Sequence, residues 1–157
     1  MADYLAIYLN DHLSGATVGL ELARRIAGRD DAYAATVRGL VDDIEQDRRT
    51  LEETMDRLGA GRDRVKVAAG WVGEKLGRLK RNGHLLSLSP LSRLEEIEVL
   101  ALGVEGKGAM WRALRVALAG DARVDAVELD RLIARADAQR EALEELRLLA
   151  VAETLAA

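Results

Sequence analysis

The chain has no cysteine and no phenylalanine, and only one proline, Pro90. Without cysteine there is no disulfide framework, no thiol nucleophile and no thiolate metal ligand. That profile fits a reducing compartment, and a cytoplasmic location is expected. Long apolar runs are also missing. Charged residues interrupt each one well short of the roughly 18 residues that would signal a membrane span. The start, MADYLAIYLNDHLSG, has no basic n-region, so neither a signal peptide nor a membrane span is expected. Nor is there a large surplus of one charge. Net charge is −4, which gives the molecule as a whole no pull toward nucleic acid or an anionic membrane.

What is present is helix-forming. Ala, Leu, Arg and Glu dominate and β-branched runs are few, so the expected class is all-α. A length of 157 residues suits a single helical domain over 1–157. Leu5, Leu9, His12, Ala16, Gly19, Ala23 and Ile26 recur at 4-3-4-3 spacing and predict a first helix over 3–27. Gly28 stops it, and Asp30 or Asp31 caps the next. The second helix runs to about 58, with Val37, Val41, Ile44, Leu51, Met55 and Leu58 on its seam and Arg48 in the gap. A shorter helix is expected over 62–81, then a connector over 82–89. Ser89 and Pro90 open a helix in the cap and first-turn positions. It reaches about 119, and the last helix runs over 124–155.

Two antiparallel hairpins, 3–58 and 90–155, are therefore expected, joined by a crossover long enough to run the length of a four-helix bundle. The hairpins also match at an offset of 92. Gly28 aligns with Gly120, and DRRTLEE (47–53) aligns with QREALEE (139–145).

Counted from the hairpin turns, His12, Arg48, Glu105 and Arg140 stand at similar heights. If the hairpins pack turn to turn, these four share a layer near mid-bundle. Glu45 and Asp137 join it, each one helical turn before its arginine. Glu105, within the small and apolar stretch VLALGVEGKGAMW (99–111), is expected to face inward there. Three carboxylates would meet two guanidiniums, and a protonated His12 would complete neutrality, which burial of charge requires. In that arrangement the folded pKa of His12 is expected to be raised. The competing expectation is that Glu45 and Asp137 point to solvent.

Two hairpins, a long crossover and a polar mid-bundle layer resemble the ferritin-like superfamily. There a Glu from each of two helices and a Glu-x-x-His from each of the other two hold a di-iron or di-manganese centre. The resemblance covers most of the chain and is one of architecture. At the Glu-x-x-His positions this sequence has Glu45-Gln46-Asp47-Arg48 and Asp137-Ala138-Gln139-Arg140, and His12 stands where a Glu would be. Only Glu105 keeps the ligand type. Arginine stays protonated and cannot ligate a metal. The resemblance thus implies a member whose centre is replaced by salt bridges, with no metal and no cofactor. The alternative is an iron or manganese site drawn from His12, Glu45, Glu105 and Asp137.

GVEGKG (103–108) lacks the GK[ST] ending and strand–loop–helix context of a phosphate loop. Its glycines are read as allowing close helix approach. Segment 62–81 carries Arg62, Arg64, Lys66, Lys75, Arg78, Lys80 and Arg81 against Asp63 and Glu74, with Trp71 among them. Such a helix can bind nucleic acid or an acidic surface. Segment 42–56, with seven acids against Arg48 and Arg49, is a sufficient internal partner, so nucleic acid is not the expected ligand. His84, beside Gly83, reads as a turn residue. Spare apolar residues at Tyr4, Ile7, Tyr8, Leu148, Leu149 and Val151 suggest a homodimer or a protein partner. The leading expectation is a non-enzymatic bundle that acts through association.

Overall fold

A computed structural model describes residues 3–62 and 89–156. These residues are helical with no strand among them. The helices are α1 (Tyr4–Ala27), α2 (Ala32–Leu58), α3 (Pro90–Ala117) and α4 (Ala126–Leu155). The expected helix over 62–81, the connector, His84 and every basic residue of that segment except Arg62 lie outside the described residues.

Local chemistry sets the helix ends. Asp3, Asp31, Ser89 and Asp125 each accept a hydrogen bond from a backbone N–H of the first turn, and Pro90 follows its cap in the position that needs no donor. Gly59 closes α2 at φ 72°, a conformation that costs glycine nothing and other residues a steric penalty. Gly28, read as the equivalent stop after α1, is right-handed instead at φ −76°. α3 runs unbroken through 99–111. Its glycines do not interrupt it, because Leu100, Val104, Met110, Trp111 and Leu114 bury one continuous face.

The helices pack α1 on α2, α3 on α4, α1 on α3 and α2 on α4. Side-chain contacts fix the directions. At one end Arg25 of α1 and Arg29 of the first turn both reach Glu96 of α3, and Arg93 lies 3.8 Å from Asp31 in the same turn. At the other end Arg123, in the second turn, donates to the carbonyl of Leu58. Tyr33 donates to Glu153, and Arg57 pairs with Glu128, so α2 and α4 also run oppositely. Burial and the Glu153 carboxylate push the Tyr33 hydroxyl up to about 12. The two turns therefore lie at opposite ends of the bundle. The expectation of turn-to-turn packing is corrected. α3 enters beside the first turn because α1 and α3 are antiparallel, and the Glu96 pairs hold them so.

The core is in two parts. One cluster joins Leu20, Leu22, Ile26, Val37, Ile44, Ile97, Leu100, Val104, Leu143 and their neighbours. The other joins Leu9, Leu51, Met55, Met110, Trp111, Leu114, Leu129 and Leu132. On each helix a short interval separates the two sets, and polar or small residues fill it.

A buried polar layer and a glycine-lined trough

The interval between the two clusters holds Asp47 of α2, Lys107 of α3, and Arg135 and Gln139 of α4. Asp47 is 1% exposed. Its two oxygens accept from Lys107 Nζ at 2.5 Å and from Arg135, and Gln139 Nε2 lies 3.5 Å away. Lys107 also donates to Gln139 Oε1. Arg135 reaches outward to Asp43 at 3.7 Å. One carboxylate thus serves two cations in a site shut off from water on most sides. Burial lowers the pKa of Lys107, and the Asp47 charge only partly offsets it. Thr50 and Thr54, one and two turns beyond Asp47, are buried as well and return their hydroxyls to the carbonyls of Gln46 and Thr50.

A polar mid-bundle layer is therefore present, but not with the residues the sequence suggested. Glu105 faces outward, with its side chain 57% exposed, 3.6 Å from Arg140. It does not enter the bundle, because the antiparallel packing turns Val104 and Gly108 inward instead. Glu45 pairs with Arg24 at 2.9 Å and with Arg49 at 3.8 Å. Arg48 pairs with Glu52 on its own helix at 3.0 Å, and Asp137 pairs with Arg112. Arg62 is taken up by Asp56 and Glu52. His12, Glu45, Glu105 and Asp137 do not converge, and no group of three potential ligands among the described residues is placed to hold a metal ion.

His12 is half-buried with its ring edge-on to Tyr8. Its pKa is lowered by burial, and the neighbouring Asp11 opposes that shift. The raised value expected for a His between carboxylates is overturned, because no carboxylate from another helix reaches it. The sign of the linked stability follows. The folded protein binds a proton at His12 less readily than the unfolded chain does, so the contribution is full above about pH 6.5 and is lost as pH falls through the lowered folded value. Urea midpoints measured from pH 7.5 to 5 should fall. A His12→Gln variant should flatten that part of the fall.

Beside the layer, α1 and α3 separate and leave a trough of about 340 Å³. Ala16, Val18, Leu22, Ile44, Leu51, Val99, Leu100, Val104, Met110 and Trp111 line its apolar length together with Gly15, Gly19, Gly103 and Gly106, and its polar residues are Asp11, His12, Asp47, Arg48 and Lys107. A Cβ at any of those four glycines would meet nothing within 4 Å. They widen the trough rather than bring helices together. Only Gly108 has the close-approach role read for GVEGKG, since its Cβ would lie 3.4 Å from that of Ala136 and 3.1 Å from Arg112 Nη1.

The fold and site define a helical bundle with a buried Lys–Asp–Arg–Gln layer opening into an apolar trough. No protein family, no curated protein and no solved structure matches the chain. No described helix is long and apolar enough to cross a membrane.

Proposed function

We propose that this chain is a non-enzymatic, metal-free bundle of ferritin-like architecture that acts in the cytoplasm by associating with a second copy or a protein partner. The connectivity supports the architecture. α2 ends beside the second turn and α3 begins beside the first, so the two hairpins stand in the antiparallel relation of a ferritin-like arrangement. The ion pairs support the absence of a metal centre. Each carboxylate of the candidate ligand set is engaged by an arginine, and those cations oppose Fe²⁺ or Mn²⁺.

The observation that carries association is on α4. Leu148, Leu149 and Leu155 are each more than half exposed, and Leu148 and Leu155 share one face at i, i+7 with Leu149 beside Leu148. Apolar side chains grouped in this way mark interaction surfaces. Sedimentation equilibrium at tens of micromolar should show a dimer. The pair Leu148→Glu with Leu149→Glu should return it to monomer with unchanged helicity. A wild-type chain that sediments as a monomer refutes self-association, and stoichiometric metal after incubation with Fe²⁺ or Mn²⁺ refutes the metal-free reading.

A further inference from the structure

We propose that the trough between α1 and α3 binds one aliphatic carboxylate, its chain lying along the glycines and its carboxylate accepting a hydrogen bond from Lys107. This goes beyond association through α4 and does not depend on it. Four observations carry it. The volume, about 340 Å³, falls in the range of small-molecule sites, roughly 300–1,000 Å³. The shape is elongated: the lining on α1 runs from Asp11 to Leu22, about 16 Å of helix and long enough for an extended alkyl chain of about ten carbons with its headgroup. The charge lies to one side of the glycines, because Asp11 and His12 precede Gly15 and Gly19 on α1 while Lys107 follows Gly103 and Gly106 on the antiparallel α3, with Leu51, Met110 and Trp111 beyond the charged layer.

The fourth observation is the donor count at Lys107. An ammonium has three N–H groups. Two are used, by Asp47 and Gln139, and the third has no acceptor among the described residues. The side chain is still 13% exposed, and it lines the trough. Asp47 divides its charge between Lys107 and Arg135, so Lys107 is a cation on the trough lining that its own carboxylate does not fully neutralise. Asp43 answers Arg135 from the solvent side, and Glu52 holds Arg48, so Lys107 is the lining cation with an ammonium N–H left over, beside the Trp111 indole N–H, which also has no acceptor among the described residues. Asp11 is exposed at the mouth. A ligand carboxylate supplies an acceptor and the missing charge, and an apolar chain fills space that the four glycines leave open.

The test is calorimetric titration of the full chain with decanoate, decanol and decyltrimethylammonium. Decanoate should bind at one per chain, at least tenfold more tightly than decanol, and decyltrimethylammonium should not bind. Lys107→Met should cost decanoate at least tenfold. Should that variant fail to fold, Gly19→Leu and Gly103→Leu provide the decision. Both sit in helices at positions with open space, so they should keep or raise the melting temperature while abolishing binding by filling the trough. No decanoate binding, equal binding of decanol, or decanoate binding unaffected by either glycine variant would each overturn the proposal.

Discussion

Asp47→Ala should destabilise the bundle by about 3–5 kcal/mol, the range for removing one partner of a buried ion pair. The cost comes from what is left behind. Lys107 would remain largely buried, its ammonium held only by the neutral Gln139 oxygen. Arg135 is less affected, because it reaches solvent and Asp43. The double variant Asp47→Leu with Lys107→Met separates this account from simple loss of packing. It removes both charges and keeps apolar volume between the two core clusters, so its stability should return to within about 1 kcal/mol of wild type or exceed it. Chemical denaturation at low and high salt supplies the measurement. The single-variant penalty should change little with salt, since a buried pair is poorly screened. Additive costs in the double variant would show that Asp47 and Lys107 act independently and would remove the case for a coupled layer.

That layer was half legible. The seam of α2 has apolar residues at 44 and 51, and the gap can be filled at 47 or at 48 with equally good 3-4 spacing. Periodicity alone could not choose between Asp47 and Arg48. The choice depends on which helix α2 meets on its second side, and turn-to-turn packing gives the wrong height and facing for α3 and α4. The offset of 92 held the missing signal. It aligns Asp47 with Gln139, and these two side chains meet in the interior. Lys107 was harder to find, because a lysine between two glycines in GVEGKG reads as surface. It is buried because Gly106 and Gly108 leave no bulk beside it and Asp47 supplies a counter-charge. The helix boundaries were the clearest part. Asp31, Ser89-Pro90 and the glycine stops act through contacts within a few residues, and most of them hold in the structure. Gly28 is the exception, in sequence a stop like Gly59 or Gly120 but right-handed in conformation.

Trp111→Ala should cost as much as the loss of Asp47, about 3–5 kcal/mol, and for a different reason. Trp111 is 0% exposed and heads the fully buried side chains by size. It packs in the cluster with Leu9, Leu51, Met55 and Leu114, and it also walls the trough. Truncation would therefore extend an existing space rather than leave a closed cavity the neighbours can collapse into. At roughly 2–4 °C per kcal/mol for a chain of this size, the melting temperature should fall by about 10 °C. Trp111→Phe distinguishes packing from polarity. The indole N–H is buried with no acceptor among the described residues, so replacing the ring by phenyl removes a desolvated donor while losing only part of the volume. The two effects oppose each other, and the variant should stay within about 1.5 kcal/mol of wild type. If Trp111→Phe instead costs nearly as much as Trp111→Ala, the N–H has a partner in solution, and the wall of the trough beside Trp111 is polar where the structure makes it apolar. If both variants are nearly neutral, the cluster around Trp111 does not hold α1 against α3, and the trough has no fixed width.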